Sequence, residues 1–393
     1  MTEVYILSAC RTPIGRFLGG LSGFRAPELG ALAVREALQR ASVEAGRVDE
    51  VILGNVLQAG VGQNPARQAA RGAGIPDEVP PFTVNKVCGS GLKAVMLGAQ
   101  AIRAGDAGVV VCGGMESMSR APYLVPSART GARLGDVKLV DAMVHDGLWD
   151  IYSDQHMGMT GELVAREYGI SREQQDAFAV ESHQRAARAW ESGWFDDETF
   201  PVQVPQRKGD PVELRRDEGV RSDASLESLA RLRPAFTAEG SVTAGNASQI
   251  SDGASALVLA GGEQVRELGA EPLARITAYA AGGMAPEWVM MAPKAAVENL
   301  EKRSGLSRRD FDLIEINEAF ASGACSLLKT LELDPERVNI HGGAVALGHP
   351  IGASGARILT TLLYALRRTG GRTGLATLCL GGGNAVALSV ELC

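Results

Sequence analysis

Short apolar runs set between glycines dominate the hydrophobic pattern of this chain. Val109-Val110-Val111 and the stretch from Leu375 to Leu380 are almost wholly apolar, which predicts strands buried on both faces beneath helices. The surroundings of these runs repeat. Val84-Asn85 leads into Val87-Cys88-Gly89-Ser90-Gly91, an Ala-rich helical stretch to Arg103, Gly105, and then Val109 to Gly114. Val338-Asn339 leads into the glycine-rich segment from Gly342 to Gly355, a Leu-rich stretch to Arg368, Gly370-Gly371, and then Leu375 to Gly383. Each copy predicts strand, glycine turn, helix, glycine, buried strand. Upstream, Glu50-Val51-Ile52-Leu53-Gly54-Asn55 matches Asp312-Leu313-Ile314-Glu315-Ile316-Asn317. Asn55 precedes Cys88 by 33 residues and Asn317 precedes His349 by 32. Three matching features in one order predict a duplication, with two α/β halves packed around a pseudo-twofold axis.

Between about 119 and 247 charges become denser and apolar runs shorter. Ser171-Arg172-Glu173-Gln174 is a capping-box pattern, and the helix it opens is expected to run to about Glu191, before Gly193. This stretch reads as an insertion carrying specificity elements. The expected division is 1–118 with 248–270 as an N-terminal domain, 119–247 as an inserted loop domain, and 271–393 as a C-terminal domain.

Composition narrows the function. With 39 Lys and Arg against 46 Asp and Glu, the net charge is −7, which argues against nucleic acid or an anionic membrane as partner. No run of about 20 apolar residues predicts a membrane helix. Glu3 stands where a secretory signal needs a basic residue, so no signal peptide is expected. The six cysteines are widely spaced and form no C-x-x-C pair, which predicts free thiols in a reducing cytoplasm and no zinc site. Glycine is in excess at 48 residues, and 18 of these fall in the two repeated windows. They therefore mark sites where the backbone comes close to something.

Four side chains stand out at the ends of the predicted core strands. Cys88 opens a helix, where N–H groups and partial positive charge favour a thiolate; Gly89 and Gly91 beside it would let a substrate carbonyl approach. A small buried hydrophobe is the equal alternative reading for this cysteine. His349 lies in the matching turn of the second copy and suits proton transfer. Cys379 ends a buried strand before Gly381-Gly382-Gly383, which suggest a backbone N–H anion site near its sulfur. Asn317 ends another strand, at the usual ligand crevice of α/β folds, although a helix N-cap is an alternative. Cys10, Cys112, Cys325 and Cys393 read as structural, and His145 and His183 as surface or structural. Metal binding is not expected, and covalent acyl chemistry is the economical reading.

The chain resembles the thiolase family along nearly its whole length. The resemblance rests on R-T-P-I-G-R (11–16), N-K-V-C-G-S-G (85–91), G-G-M-E-S-M-S (113–119), T-A-G-N-A-S (243–248), S-D-G-A-S-A (251–256), N-E-A-F-A (317–321), G-G-A-V-A-L-G-H-P-I-G-A-S-G (342–355) and C-L-G-G-G (379–383). Q-H-M-G-M-T (155–160) and R-L-R-P-A-F-T (231–237) are most similar to the biosynthetic branch. The resemblance implies an α/β thiolase fold of five layers, α-β-α-β-α, and a reversible Claisen condensation of two acetyl-CoA to acetoacetyl-CoA and CoA. Cys88 would carry the acyl group, with His349 taking the thiol proton and the N–H groups of Cys88 and Gly381 holding the oxygen. Cys379 would remove a methyl proton from the second acetyl-CoA. His349 and a water on Asn317 would steady the enolate. Leu148, His156, Met157, Arg221, Ser228, Phe236, Ala244, Ser248, Ala319 and Phe320 would line the CoA channel, with Arg221 beside the adenine and Ser248 on the pantetheine. No cofactor is implied beyond the CoA thioester substrates. A homotetramer is implied, with residues around 120–140 as assembly contacts. Gln249-Ile250-Ser251, Met290-Met291-Ala292-Pro293 and Asn384-Ala385 depart from the common pattern and leave acyl-chain preference open. A degradative 3-ketoacyl-CoA thiolase would keep the same four residues. A decarboxylating condensing enzyme or a silent CoA-binding relative are further alternatives.

Overall fold

The computed structural model describes residues 2–393. The first half comprises β1 (Val4–Arg11), α1 (Ala26–Ala41), β2 (Glu50–Gly54), α2 (Pro65–Ala73), β3 (Pro81–Val84), α3 (Ser90–Ala104) and β4 (Val109–Ser117). An inserted segment with α4 (Met157–Tyr168) and α5 (Arg172–Glu191) follows, and β5 (Ser251–Gly261) then returns beside β1. The second half comprises β6 (Ala274–Gly283), α6 (Ala292–Ser304), β7 (Leu313–Ile316), α7 (Ala321–Leu331), α8 (Ser354–Thr369), β8 (Thr373–Leu380) and β9 (Asn384–Leu392).

The strands run in the order β7-β8-β9-β6-β1-β5-β4-β2-β3, joined in the middle by Tyr5↔Arg275 and Ile6↔Ala274 of β1 and β6. The two halves share one pattern. β2 and β4 are parallel, as are β7 and β8; β4-β5-β1 and β8-β9-β6 are antiparallel, and β3 joins the edge parallel to β2. Even an irregularity is repeated. The β1–β5 register shifts between Ile6 and Ser8, and the β6–β9 register shifts between Ile276 and Ala278. A bulge at the same place in both halves is difficult to reach without duplication.

The copies differ at their outer edges. The expected strand at Val338-Asn339 is only an isolated bridge between Val338 and Ile314, where the first half has β3. A side chain takes over the ladder there. The Asn339 amide accepts from Ile316 N–H at 2.8 Å and donates to Ile316 C=O at 2.8 Å, satisfying both backbone groups as a neighbouring strand would.

The layers are set by which faces are apolar. β4 and β5 are buried along their whole length. α1 and α2 cover the outer face of the first half, α6 covers that of the second, and α3 and α8 pack against each other between them. Two matched glycines allow that central contact. A Cβ on Gly91 would stand 2.8 Å from Ala356 N, and one on Gly355 would stand 2.4 Å from Leu92 N. Only glycine lets these backbones come so near.

The inserted segment is tied to β1 by a fully buried cation. Arg11 meets Glu198 at 2.5 Å and Asp217 at 2.7 Å, and Trp190 Nε1 donates to Asp217 at 3.1 Å. Removing one partner of such a set leaves a bare charge in the interior, typically about 3–5 kcal/mol. α5 begins as expected, with Ser171 and Gln174 capping each other, and ends before Gly193.

Candidate active site

Cys88, His349, Cys379 and Gly381 converge on one cavity of about 510 Å³. The turn after β3 is strained to bring Cys88 there. Val87 has a φ of +46°, a left-handed conformation unusual for a β-branched residue. Ser90 holds it by accepting from Lys86 N–H at 2.8 Å and donating to Val87 C=O at 2.6 Å. The backbone N–H groups of Gly381 and of Cys88 itself favour the Cys88 thiolate. Burial nevertheless pushes the thiol up to about 11, against those two donors. The expected resting thiolate is therefore not held at this helix start, because desolvation outweighs the N–H groups.

Gly89 and Gly91 do not open the site to a carbonyl as expected. A Cβ on Gly89 would collide with Leu380, and Gly91 faces the backbone of α8. The three glycines after Cys379 divide their roles. Gly381 lines the cavity and its N–H favours charge on Cys88, whereas Gly382 and Gly383, with φ of +80° and +76°, make the turn into β9.

The tautomer of His349 can be read from its neighbours. Its Nδ1 lies 2.6 Å from Ser354 Oγ, and that hydroxyl lies 2.9 Å from Pro350 C=O. A carbonyl only accepts, so the Ser354 proton points at Pro350 and Nδ1–H is the donor to Oγ. Nε2 keeps its lone pair free to receive a proton. Burial, reinforced by the Arg357 charge, depresses the imidazole to about 3, so it stays neutral. Cys379, next to last in β8, is pushed up to about 12 by burial and by the nearby Cys88. Two neutral thiols thus share a cavity with a neutral base.

Asn317 is buried behind the imidazole and does not line the cavity. Its Nδ2 is 3.4 Å from both ring nitrogens, so it is not aligned with the Nε2 lone pair. The repeat places these residues differently from the simple sequence match. The Gly91–Gly355 contact sets Cys88 opposite Gly352 and His349 opposite Asn85, in the same turn but not at the same position. Followed from the shared bulge, the strand register sets Gly54 opposite Asn317, and Asn55 opposite Glu318.

Of the expected channel residues, Leu148, His156, Met157, Arg221, Phe236, Ala244, Ser248, Ala319 and Phe320 line the cavity. Ser228 does not. It is exposed, and its N–H and hydroxyl are used on Ser225 in capping a short helix. His156 stacks on Phe236 at 4.7 Å and caps α4 through Gly158 N–H. His183, read as surface or structural, is buried and accepts the N–H of Arg221 at 3.1 Å, which anchors that segment. Arg16 and Phe17 join Arg221 at the exposed end; the buried lining includes Val289 and Met290, in the core cluster of Cys379, and Ile351, in the cluster against which Cys88 packs. Arg16 lies in the first motif, Ile351 in the motif that carries His349, and Met290 in a departing loop, so each had a signal. Among the described residues no acidic, His or Cys cluster could hold a metal, and no helix is long and apolar enough to cross a membrane.

Residues 4–263 match the family model described as thiolase, N-terminal domain, and residues 270–392 match thiolase, C-terminal domain. The chain is 54% identical over 390 residues to an acetyl-CoA acetyltransferase of Pseudomonas aeruginosa, covering 99% of each. It is also 54% identical over 391 residues to the protein of that name from Cupriavidus necator, covering 100% of each. Its structure is similar to the crystal structure of the Bacillus anthracis acetyl-CoA acetyltransferase, with a TM-score of 0.98 at 43% identity, covering 100% of this chain and 99% of that one.

Proposed function

The chain belongs to the thiolase family, and we propose that it is an acetyl-CoA C-acetyltransferase, condensing two acetyl-CoA to acetoacetyl-CoA and CoA. The observation that carries this reading is the pair of sulfurs, Cys88 and Cys379, in one cavity with a neutral His349 and the Gly381 N–H.

Cys88 attacks the thioester carbon as His349 Nε2 takes its proton, and the Cys88–acyl bond forms as the bond to CoA sulfur breaks. Cys379 gives its proton to the departing CoA thiolate. An imidazolium and a Cys379 thiolate remain, and burial makes that thiolate a strong base. It removes a methyl proton from the second acetyl-CoA. The enolate oxygen is met by His349 and, through a water, by Asn317. The enolate carbon attacks the acyl group, and Cys88 leaves and recovers its proton from His349. The N–H groups of Cys88 and Gly381 favour negative charge at the Cys88 sulfur, so they suit an oxyanion formed there. Losing one such donor costs about 3 kcal/mol in the transition state.

Val289 and Met290 in the core cluster of Cys379, and Ile351 in the cluster of Cys88, all buried, leave little room for a long acyl chain between the two sulfurs. Arg16 and Arg221 at the exposed end suit the phosphates and adenine of CoA. The exposed Tyr123, Leu134 and Leu139 support the reading that residues 120–140 assemble a homotetramer. We keep the domain division at 1–118 with 248–270, 119–247 and 271–393, and a cytoplasmic setting consistent with six free cysteines. Thiolysis of a chain-length series tests the function. Acetoacetyl-CoA should be cleaved well ahead of 3-ketohexanoyl-CoA, and equal or better cleavage of longer chains would make the enzyme a degradative 3-ketoacyl-CoA thiolase.

A further inference from the structure

We propose that Arg357 is a positioning residue for the condensation step: it turns the Asn317 amide so that its NH₂ end, and not its oxygen, faces the catalytic His349. The proposal rests on the function given above. Arg357 lies on α8 and is 1% exposed. Its Nη2 lies 3.5 Å from Asn317 Oδ1, and its Nη1 lies 3.5 Å from Glu315 of β7. A guanidinium has five donors and no acceptor, so the amide end turned toward it is the oxygen. The nitrogen is then the end against His349, 3.4 Å from both ring nitrogens. Without the guanidinium the two amide orientations compete. The wrong one turns the carbonyl oxygen toward His349 and leaves no amide N–H for the water that meets the enolate oxygen.

The repeat supplies an internal control. The Gly91–Gly355 contact sets Lys93 opposite Arg357, and the strand register sets Ile52 opposite Glu315. Lys93 is partly exposed and Ile52 is ordinary core. The same backbone therefore folds in the first half without a buried ion pair. The pair in the second half is also loosely made. Arg357 Nε and Nη1 and Glu315 Oε2 have no hydrogen-bond partner among the described residues. Buried charges with unmet donors are poor stabilisers, and well-packed apolar residues usually replace them without loss. Such breaches of local packing logic gather where function needs them.

The test separates the two halves of the reaction in Arg357→Met, Arg357→Lys and the paired Arg357→Met/Glu315→Gln, which removes both charges and guards against misfolding. The burst of CoA released on acylation by acetyl-CoA should stay within about three-fold of wild type. Condensation should fall by about 10²-fold in Arg357→Met and in the paired variant, and recover in part in Arg357→Lys. Asn317→Ala/Arg357→Met should be no slower than Asn317→Ala alone, because both changes act through one amide. Effects that multiply, or a burst slowed as much as condensation in folded protein, would overturn the proposal. A wild-type enzyme with no burst would instead overturn the function, and this inference with it.

Discussion

The two glycine turns descend from one backbone pattern and now do opposite chemistry. The turn before α3 strains Val87 to lift a nucleophile into the cavity. The turn before α8 sinks an imidazole and fixes its tautomer through Ser354. The serines that open the two helices behave alike, since Ser90 and Ser354 each donate to a carbonyl of their own turn. What differs is the partner that each hydroxyl then accepts from, a backbone N–H of Lys86 in one case and the His349 ring in the other. A repeated scaffold can thus be kept for stability while one of its hydrogen-bond positions is given over to catalysis.

The largest expected effect breaks the first turn. Cys88→Ala should abolish acetyl labelling by acetyl-CoA and lower turnover by on the order of 10⁴-fold or more, read by intact mass and by thiolysis rate. Residual labelling at wild-type level would move the nucleophile elsewhere.

The glycines at the axis test whether the halves are equivalent in packing. Gly91→Ala and Gly355→Ala both force a methyl group into facing backbone. Each should destabilise the fold by about 2–3 kcal/mol, measured as a lower denaturant midpoint. Gly370→Ala, where a Cβ meets nothing within 4 Å but φ is +72°, should cost about 1 kcal/mol.

Acid should affect the second turn more than the first. His349 is held at about 3, well below its ordinary value of 6.5. Between those values the unfolded chain binds the proton and the folded chain does not, so stability present above pH 6.5 is lost as pH falls. His349→Gln should flatten that fall in urea midpoints measured from pH 7 to pH 4.5. An unchanged slope would mean that the ring titrates normally. The smallest effect is expected at the surface, where Ser228→Ala should leave KM for acetyl-CoA within about two-fold, since its hydroxyl only caps a helix.

Much of this was legible in the residues because chemistry and punctuation coincide. Cys88, His349 and Cys379 each sit beside glycines at the end of a predicted element, and topology gathers such ends. The capping box at Ser171 was equally local. Other features depend on distant partners and leave no local trace. The roles of Gly91 and Gly355 exist only because two helices 264 residues apart cross. Asn339 replaces a strand through its side chain, which no alternation of apolar residues announces. The sequence match also paired Asn55 with Asn317, one residue away from the register set by the strands. The height of the Cys88 pKa depends on burial that composition cannot report.

The division of labour between the two sulfurs is tested most directly by Cys379→Ala mixed with acetyl-CoA, following intact mass and acetoacetyl-CoA together. One acetyl group should accumulate on Cys88 while no acetoacetyl-CoA forms. Acetoacetyl-CoA made at the wild-type rate would contradict a base at Cys379, and failure to acylate at all would contradict a separate nucleophile at Cys88.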